Sequence, residues 1–185
     1  MNKIKQCLGI LLLSLTVVSC RQKVVSPVPV DALPPIWPDY AGVTIPATIA
    51  PLNFRVTADG AEAVDVVISG KKGDPIRTSG ESVEIPAGKW SELLENNKGE
   101  SLEVKVCIRQ NGEWKAYRSF PFYISPFPID YGLVYRLLAP GYEIYSKMGI
   151  YERELSPFRQ TPLCENTQVT AASVNCHAFN QTNPD

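Results

Sequence analysis

Short runs of alternating apolar and polar residues fill the chain between positions 43 and 124. In one run, Val64, Val66 and Ile68 recur at every second position, so their side chains share one face of an extended strand. Further runs of this kind cover residues 53–57, 83–85, 102–109 and 114–123. Several short strands at this spacing predict an all-β domain that is built from two packed sheets.

The clearest strand pair lies on either side of Asn111-Gly112. Every second residue from Leu102 to Ile108 is apolar, and the residues between them are mainly polar. Asn-Gly is the strongest short-range signal for a two-residue hairpin, because both residues accept a positive φ. We therefore expect a mainly β fold, an immunoglobulin-like or fibronectin-like β-sandwich, over residues 42–126.

Helical spacing occurs at two places in this strand-rich pattern. Trp90, Leu93 and Leu94 are spaced as i, i+3 and i+4, which places them on one face of a short helix. A second apolar group precedes Pro140-Gly141 and predicts another short helix. That group consists of Leu133, Val134, Leu137 and Leu138. In the rest of segment 127–185 we expect one more helical turn with Tyr142, Tyr145 and Met148 on one face and a brief strand at Ile150 and Tyr151. From Thr161 onward we expect an irregular, polar C-terminal tail.

The first nineteen residues have the layout of an export signal. Lys3 and Lys5 precede an apolar run over residues 7–18, and the small residue Ser19 follows it. The run is shorter than the roughly 20 apolar residues of a membrane-spanning helix, and its length suits the h-region of a secretory signal. We interpret residues 1–19 as a lipoprotein signal peptide that is cleaved before Cys20.

The six residues that end at Cys20, LTVVSC, resemble a bacterial lipobox. The resemblance implies a diacylglyceryl group on the Cys20 sulfur and a further fatty acyl chain, such as palmitate, on the new amino terminus. Two or more acyl chains anchor a protein stably, whereas one chain binds a membrane only marginally. An ordinary signal peptide with a cysteine by chance and an uncleaved anchor helix are the two alternatives.

After cleavage, the chain would begin with a proline-rich stretch at residues 20–41. Such proline density favours extended polyproline II, which makes a semi-rigid spacer. The prolines are Pro27, Pro29, Pro34, Pro35 and Pro38. We therefore predict that this stretch is a tether between the lipid and the β-domain.

The charge of the mature chain argues against a nucleic-acid partner. Loss of Lys3 and Lys5 with the signal leaves 16 basic residues against 19 acidic ones, with no basic stripe. Nucleic-acid-binding proteins carry clustered lysine and arginine residues. The expected partners are therefore the membrane, through the lipid anchor, and an envelope protein or glycan.

Three stretches of the chain resemble one family of lipoproteins. They read WPDYAGVTIPATIAPLNFRV at 37–56, YRLLAPGYEIYSKMGIYERELSPF at 135–158 and NCHAFNQTNPD at 175–185. The family is the TolB-like, or cytochrome c biosynthesis-like, lipoproteins of Bacteroidetes. The resemblance implies a lipidated N-terminal β-domain, a segment of the C-x-x-C-H-S-F type and a long β-propeller. Here Ser173 occupies the first cysteine position, and no propeller repeat is present.

Cys176 and His177 form the one motif with a specific chemistry. A C-x-x-C-H motif attaches heme c through two thioether bonds, and its histidine ligates the iron. In this chain only Cys176 could form such a bond. His177 and Met148 would be the axial ligands of the iron, because they are the only histidine and the only methionine of the mature chain. We expect no other metal site.

The cysteines also allow interpretations without heme. Cys164 and Cys176 could form a disulfide that closes a short loop, with a stabilisation of about 3 kcal/mol. A zinc site is disfavoured, because adjacent Cys and His side chains seldom reach one ion and a fourth ligand is missing. A plain surface loop is the remaining alternative. Cys107, on the polar face of its strand, is expected to be an unreactive thiol.

The sequence contains no motif that indicates other catalysis. Neither G-x-S-x-G nor H-E-x-x-H occurs, and any serine or cysteine triad would depend on His177. We interpret Glu152 and Glu154 as solvated charges rather than a catalytic pair. The sequence thus favours a non-enzymatic, membrane-tethered binding module, with a c-type heme electron carrier as the alternative. Because no acidic run follows Cys20, we expect it at the periplasmic face of the outer membrane.

Overall fold

Strands dominate the computed structural model, which describes residues 22–127, 129–138, 145–166, 168 and 174. The strands are β1 (Val28–Val30), β2 (Ile36–Trp37), β3 (Thr44–Pro46), β4 (Phe54–Val56), β5 (Ala63–Ser69), β6 (Ile76–Ser79), β7 (Ser82–Val83), β8 (Ser101–Gln110), β9 (Glu113–Tyr117), β10 (Phe120–Ser125), β11 (Gly132–Leu137), β12 (Gly149–Glu154) and β13 (Gln160–Glu165). One helix, α1 (Ala87–Asn96), precedes β8, and a short 3-10 turn covers Tyr145–Lys147.

The largest sheet is centred on β8. β5 lies antiparallel along one edge of β8, with Val66 opposite Val106, and β6 pairs with the outer edge of β5. The other edge of β8 is shared by two strands, because β9 pairs with its end and β10 with its beginning. β1 and β3 extend this side as parallel partners of β9 and β10. The N-terminal strands therefore form the outer edge of the sheet.

The second sheet consists of β2, β4 and β7, and it covers the apolar face of the first. Its inward residues Phe54, Val56 and Val83 belong to the same buried cluster as Val66 of β5. The four apolar residues of β8 lie in this cluster and are almost inaccessible to solvent. They are Leu102, Val104, Val106 and Ile108. Two sheets with one shared apolar core make a β-sandwich, so the predicted fold class is confirmed.

The turn between β8 and β9 follows the predicted hairpin geometry. Asn111 has a φ of 51° and Gly112 a φ of 77°. Two consecutive residues with positive φ are the requirement of the type I′ turn, which matches the twist of the strands on either side. Glu62 accepts a hydrogen bond from the Gly112 N–H at 3.1 Å. The hairpin prediction at Asn111-Gly112 is therefore confirmed.

Helix α1 packs its predicted face into the sandwich core. Trp90, Leu93 and Leu94 are all at most 2% exposed. The indole N–H of Trp90 donates to the Ile49 carbonyl oxygen at 3.0 Å. Its ring meets Phe122 edge to face, with ring centroids 6.1 Å apart. Buried tryptophans usually find a partner for the N–H, and here the partner fixes the helix against the chain that follows β3.

Asn97, the first residue after α1, joins the helix to the β5–β6 loop. Its buried side chain accepts the Lys72 N–H at 3.1 Å and donates to the carbonyl oxygens of Lys72 and Leu93, both at 2.8 Å. A Cβ on Gly70 would lie 2.5 Å from the Asn97 side chain. The β5–β6 loop is thus held in place by one amide group.

Replacing Asn97 by alanine is expected to lower the free energy of unfolding by about 3 kcal/mol. The truncation leaves backbone groups of Lys72 and Leu93 without partners, and each buried unpaired group costs about 1–3 kcal/mol. Asn96→Ala is the matched control, because its side chain is exposed and surface changes stay within about 0.5 kcal/mol. Urea denaturation of both variants measures the difference, and equal losses would contradict the role of Asn97.

Part of the predicted spacer at residues 20–41 lies within the sandwich. β1 pairs with β9, and β2 pairs with β4 so that Ile36 lies opposite Val56. The Thr57 N–H donates to the Pro35 carbonyl oxygen at 2.9 Å. Proline is tolerated in edge strands, whose backbone is as extended as a polyproline spacer. Proline density therefore predicted the extended conformation but not the pairing.

The segment predicted as a second helix is strand β11, so that prediction is wrong. β11 pairs with β12, which contains the predicted brief strand at Ile150 and Tyr151. β12 also pairs with β13, which lies partly in the predicted irregular tail, so a three-stranded sheet forms. Tyr135 lies opposite Tyr151, and their rings stack with centroids 6.5 Å apart. The Ala50 N–H donates to the Leu155 carbonyl oxygen at 2.9 Å, which connects this third sheet to the sandwich. Pairing with a distant strand overrides a local helical spacing.

Candidate binding surface

The outer face of the small sheet β2–β4–β7 carries a row of aromatic and polar side chains. Phe54 and Val56 of β4 are buried, so Arg55 between them points outward. Trp37 of β2 and Ser82 of β7 are the cross-strand neighbours of Arg55. The row Trp37–Arg55–Ser82 therefore crosses all three strands on one surface.

Trp37 is exposed in a way that the other tryptophans are not. It is 70% exposed, whereas Trp90 and Trp114 are 0% and 7% exposed. An open groove of about 540 Å³ lies beside it, within the volume range of small-molecule sites. We call the rim of this groove the Trp37 shelf. It comprises Trp37, Pro38, Arg55, Thr57, Ser82 and Glu84.

The two charged residues of the Trp37 shelf have no internal partners. Arg55 and Glu84 are exposed, and neither side chain forms a hydrogen bond or a salt bridge with any described residue. Other surface charges are paired, for example Lys71 with Glu100 at 2.6 Å. An exposed indole with an unpaired cation and an unpaired anion on one groove can contact both the apolar and the polar groups of a ligand.

Sequence reasoning missed the Trp37 shelf because the prolines around Trp37 indicate a spacer. The position of Arg55 between two buried residues of β4 was predictable from alternation. Its neighbour across the strand was not, because Trp37 and Arg55 are paired through backbone contacts that leave no local pattern. The one available signal was a tryptophan in a proline-rich stretch.

Met148 and Cys164, two of the predicted site residues, lie close together in the third sheet. Cys164 of β13 is opposite Ile150 of β12, and Met148 directly precedes β12. The Asn166 N–H donates to the Met148 carbonyl oxygen at 2.7 Å, and the Asn166 side chain accepts the Val174 N–H at 2.7 Å. Asn166 thus brings the chain at position 174 beside Met148, whose side chain is buried.

Three predicted site residues lie outside the described residues. They are Cys20, Cys176 and His177. The lipid site and the heme motif therefore remain predictions, and so does the pairing of Cys164 with Cys176. Neither Cys107 nor Cys164 forms a disulfide with another described residue.

Two other residues that the sequence analysis considered, Cys107 and Glu154, are buried or partly buried. Burial raises the pKa of the half-buried Cys107 thiol, and the nearby Asp65 carboxylate raises it further. The thiol is therefore protonated at neutral pH, which makes it a poor nucleophile. Glu154 is buried and accepts a hydrogen bond from Arg159 at 2.5 Å. Its interpretation as a solvated charge is wrong, because its carboxylate is buried and pairs with the exposed guanidinium of Arg159.

In the third sheet, the pKa of Tyr151 is shifted furthest from its ordinary value. Its hydroxyl donates to the Glu165 carboxylate at 2.5 Å, and this bond raises the pKa of Tyr151 to about 12. The ring is 5% exposed, so the residue serves packing. Within the ranges that the structure describes, no three His, Cys, Asp or Glu residues lie close enough together to bind a metal ion.

No helix of the described part of the chain is both long and apolar enough to cross a bilayer. Comparison with protein-family models, with curated proteins and with solved structures gives no match. The candidate surface therefore rests on its geometry and chemistry alone.

Proposed function

We propose that this chain is a lipid-anchored, non-enzymatic binding module of the bacterial envelope, and that its Trp37 shelf binds a glycan. The anchor is the lipid that the export signal implies on Cys20, at the periplasmic face of the outer membrane. We further propose that the chain is related to the N-terminal β-domain of TolB-like lipoproteins. The observation that carries the binding role is the 70% exposure of Trp37, since tryptophan is highly buried on average.

The chemistry of the Trp37 shelf suits a sugar better than an apolar ligand. The face of an indole ring is electronegative, and it attracts the weakly positive C–H groups on one side of a pyranose ring. Arg55, Glu84 and Ser82 lie beside the indole and offer both donors and acceptors to hydroxyl groups. An apolar ligand would leave the charges of Arg55 and Glu84 desolvated without a partner.

Removal of the Trp37 side chain is expected to weaken glycan binding at least tenfold, which is about 1.4 kcal/mol. The test titrates the mature chain with soluble peptidoglycan fragments and with lipopolysaccharide core oligosaccharide, by isothermal calorimetry. Phe127→Ala is the matched control, because Phe127 is also an exposed aromatic residue, at 75%. Both variants should keep the unfolding free energy of the wild type within about 0.5 kcal/mol.

Two outcomes would overturn the glycan proposal. One is the absence of binding to either class of glycan by the wild type, and the other is equal binding by wild type and Trp37→Ala. A third outcome is an envelope protein that binds to wild type and to Phe127→Ala but not to Trp37→Ala. This outcome would show that the Trp37 shelf is a binding site whose ligand is a protein.

A second candidate function, a c-type heme carrier, is favoured by the contact of Asn166 with Val174. Cys176 follows Val174 by two residues, so its Cα lies within about 7 Å of the Val174 Cα. Val174 itself is held beside Met148 through Asn166, and in a heme-bound form Met148 and His177 would hold the iron. Bound heme would supply one-electron transfer. The alternative role of Cys176 is a disulfide with Cys164.

Production of the chain together with a heme-attachment system separates these alternatives. The leading proposal predicts a colourless protein in which one peptide pair is linked through Cys164 and Cys176 and separates on reduction. Cys107→Ser is the control and should leave both results unchanged. A Soret band with a covalent mass increase, both lost in Cys176→Ser, would instead establish the electron carrier.

A further inference from the structure

One end of the sandwich is formed by the loops around the Asn111-Gly112 turn, and we call it the hairpin end. The loop from β4 to β5 belongs to it, because the Glu62 N–H donates to the Arg109 carbonyl oxygen at 2.8 Å. The side chain of Gln110 donates to the Asp59 carbonyl oxygen at 2.8 Å. These bonds hold the hairpin and the neighbouring loop together as one surface.

The start of the described chain lies directly against the hairpin end. Arg109 donates to the Gln22 side chain at 2.9 Å. Lys23, Val25 and Ser26 line a cavity of about 470 Å³ together with the residues around the Asn111-Gly112 turn. Six residues after Gln22, Val28 pairs with Lys115 as β1 begins. The chain from Gln22 onward is therefore bound to the domain and provides no free spacer.

The third sheet lies at the opposite end of the sandwich. β8 runs from Ser101 to Gln110, and ten residues in a strand span about 30 Å. The chain leaves β10 beside the beginning of β8, where the Gly99 N–H donates to the Ile124 carbonyl oxygen at 3.1 Å. It then enters the third sheet, which contacts Ala50 at that same end. The two ends are thus separated by the length of the sandwich.

We infer that the hairpin end faces the lipid headgroups directly and that the third sheet points away from the bilayer. This inference rests on the lipid at Cys20 that the proposed function includes. Only Arg21 separates Cys20 from Gln22, so the two Cα atoms are at most about 7 Å apart. The acyl chains on Cys20 would therefore hold the hairpin end at the surface of a phospholipid bilayer.

The tether, rather than charge, determines this orientation. The basic residues at the hairpin end equal the acidic ones in number, so its described part has no excess of positive charge. The basic residues are Lys23, Arg109 and Lys115, and the acidic ones are Asp59, Glu62 and Glu113. Juxtamembrane attraction to anionic lipids needs several lysine or arginine residues. The orientation should therefore be the same on neutral and on anionic vesicles.

Energy transfer from the protein to the bilayer surface tests the orientation. The lipidated protein is purified from membranes and reconstituted into phosphatidylcholine vesicles that contain a trace of headgroup-labelled acceptor lipid. A donor dye is attached through p-azidophenylalanine at Glu113, at the hairpin end, or at Lys98, near the opposite end. Because the ends are about 30 Å apart, we expect the transfer efficiency from position 113 to be higher by about twofold or more.

Equal efficiencies, or a higher efficiency from position 98, would overturn the inference. Failure of the labelled protein to float with the vesicles would instead show that the lipid anchor, and with it the proposed function, is wrong. A flexible Gly-Ser insertion between Arg21 and Gln22 is the control, and it should keep flotation while it removes the difference between the two positions. An increase in transfer from position 113 on phosphatidylglycerol-rich vesicles would contradict orientation by the tether.

Discussion

Replacing Trp90 by alanine is expected to lower the free energy of unfolding by about 4 kcal/mol, because truncation of a buried tryptophan costs about 3–5 kcal/mol. Trp90 is 0% exposed and is the largest fully buried side chain. Its loss removes the edge-to-face contact with Phe122 and leaves the Ile49 carbonyl oxygen without its donor. Helix α1 would lose its main attachment to the sandwich.

Urea denaturation followed by circular dichroism measures this loss. Trp37→Ala is the control, because the exposed indole of Trp37 contributes little to packing and its removal should change stability by no more than about 0.5 kcal/mol. Trp90→Ala should therefore lower the free energy of unfolding, whereas Trp37→Ala should weaken glycan binding and leave stability unchanged. A loss of less than about 1.5 kcal/mol in Trp90→Ala would fall below the range for a close-packed core and contradict the packing described for α1.

Replacing Cys20 by alanine is expected to remove fatty acid from the protein completely and to release the chain from the outer-membrane fraction. Each buried methylene of an acyl chain contributes about 0.8 kcal/mol to membrane binding, and the predicted chains are all attached through residue 20. Without the sulfur no diacylglyceryl group can form. Incorporation of labelled palmitate and membrane fractionation with a high-salt wash measure the two effects.

Cys7→Ala provides the control for this experiment. Cys7 lies inside the apolar run of the export signal, and alanine keeps that run apolar. The variant should incorporate fatty acid and fractionate as the wild type does. A Cys20→Ala chain that keeps both its label and its membrane fraction would show that the lipid is elsewhere or absent.

Local patterns were sufficient to predict much of the sandwich. The alternation in β8 identified its buried face, because alternate residues of a strand point to opposite sides. The Asn111-Gly112 turn was predictable, because its positive φ values require those residue types. The face of α1 that contains Trp90 followed from its spacing. Each of these features is determined by residues within a few positions of one another.

Features that depend on distant pairing were not predictable. β11 has an apolar spacing that also fits a helix, and only its partner β12 decides between the two structures. β2 lies in a proline-rich stretch that indicates a spacer, and no local pattern predicts the pairing of Trp37 with Arg55. The Trp37 shelf depends on that pairing. Local patterns therefore identified strands and turns but not the candidate site.

The mass of the N-terminal peptide tests the central claim most directly. The protein is purified from membranes with detergent and digested, and the peptide that precedes Lys23 is analysed by mass spectrometry. A lipid-anchored module predicts a peptide that begins at Cys20 and carries a diacylglyceryl group and an amide-linked acyl chain. A peptide that carries Cys20 without any added mass, or that begins at another residue, would contradict the lipid anchor.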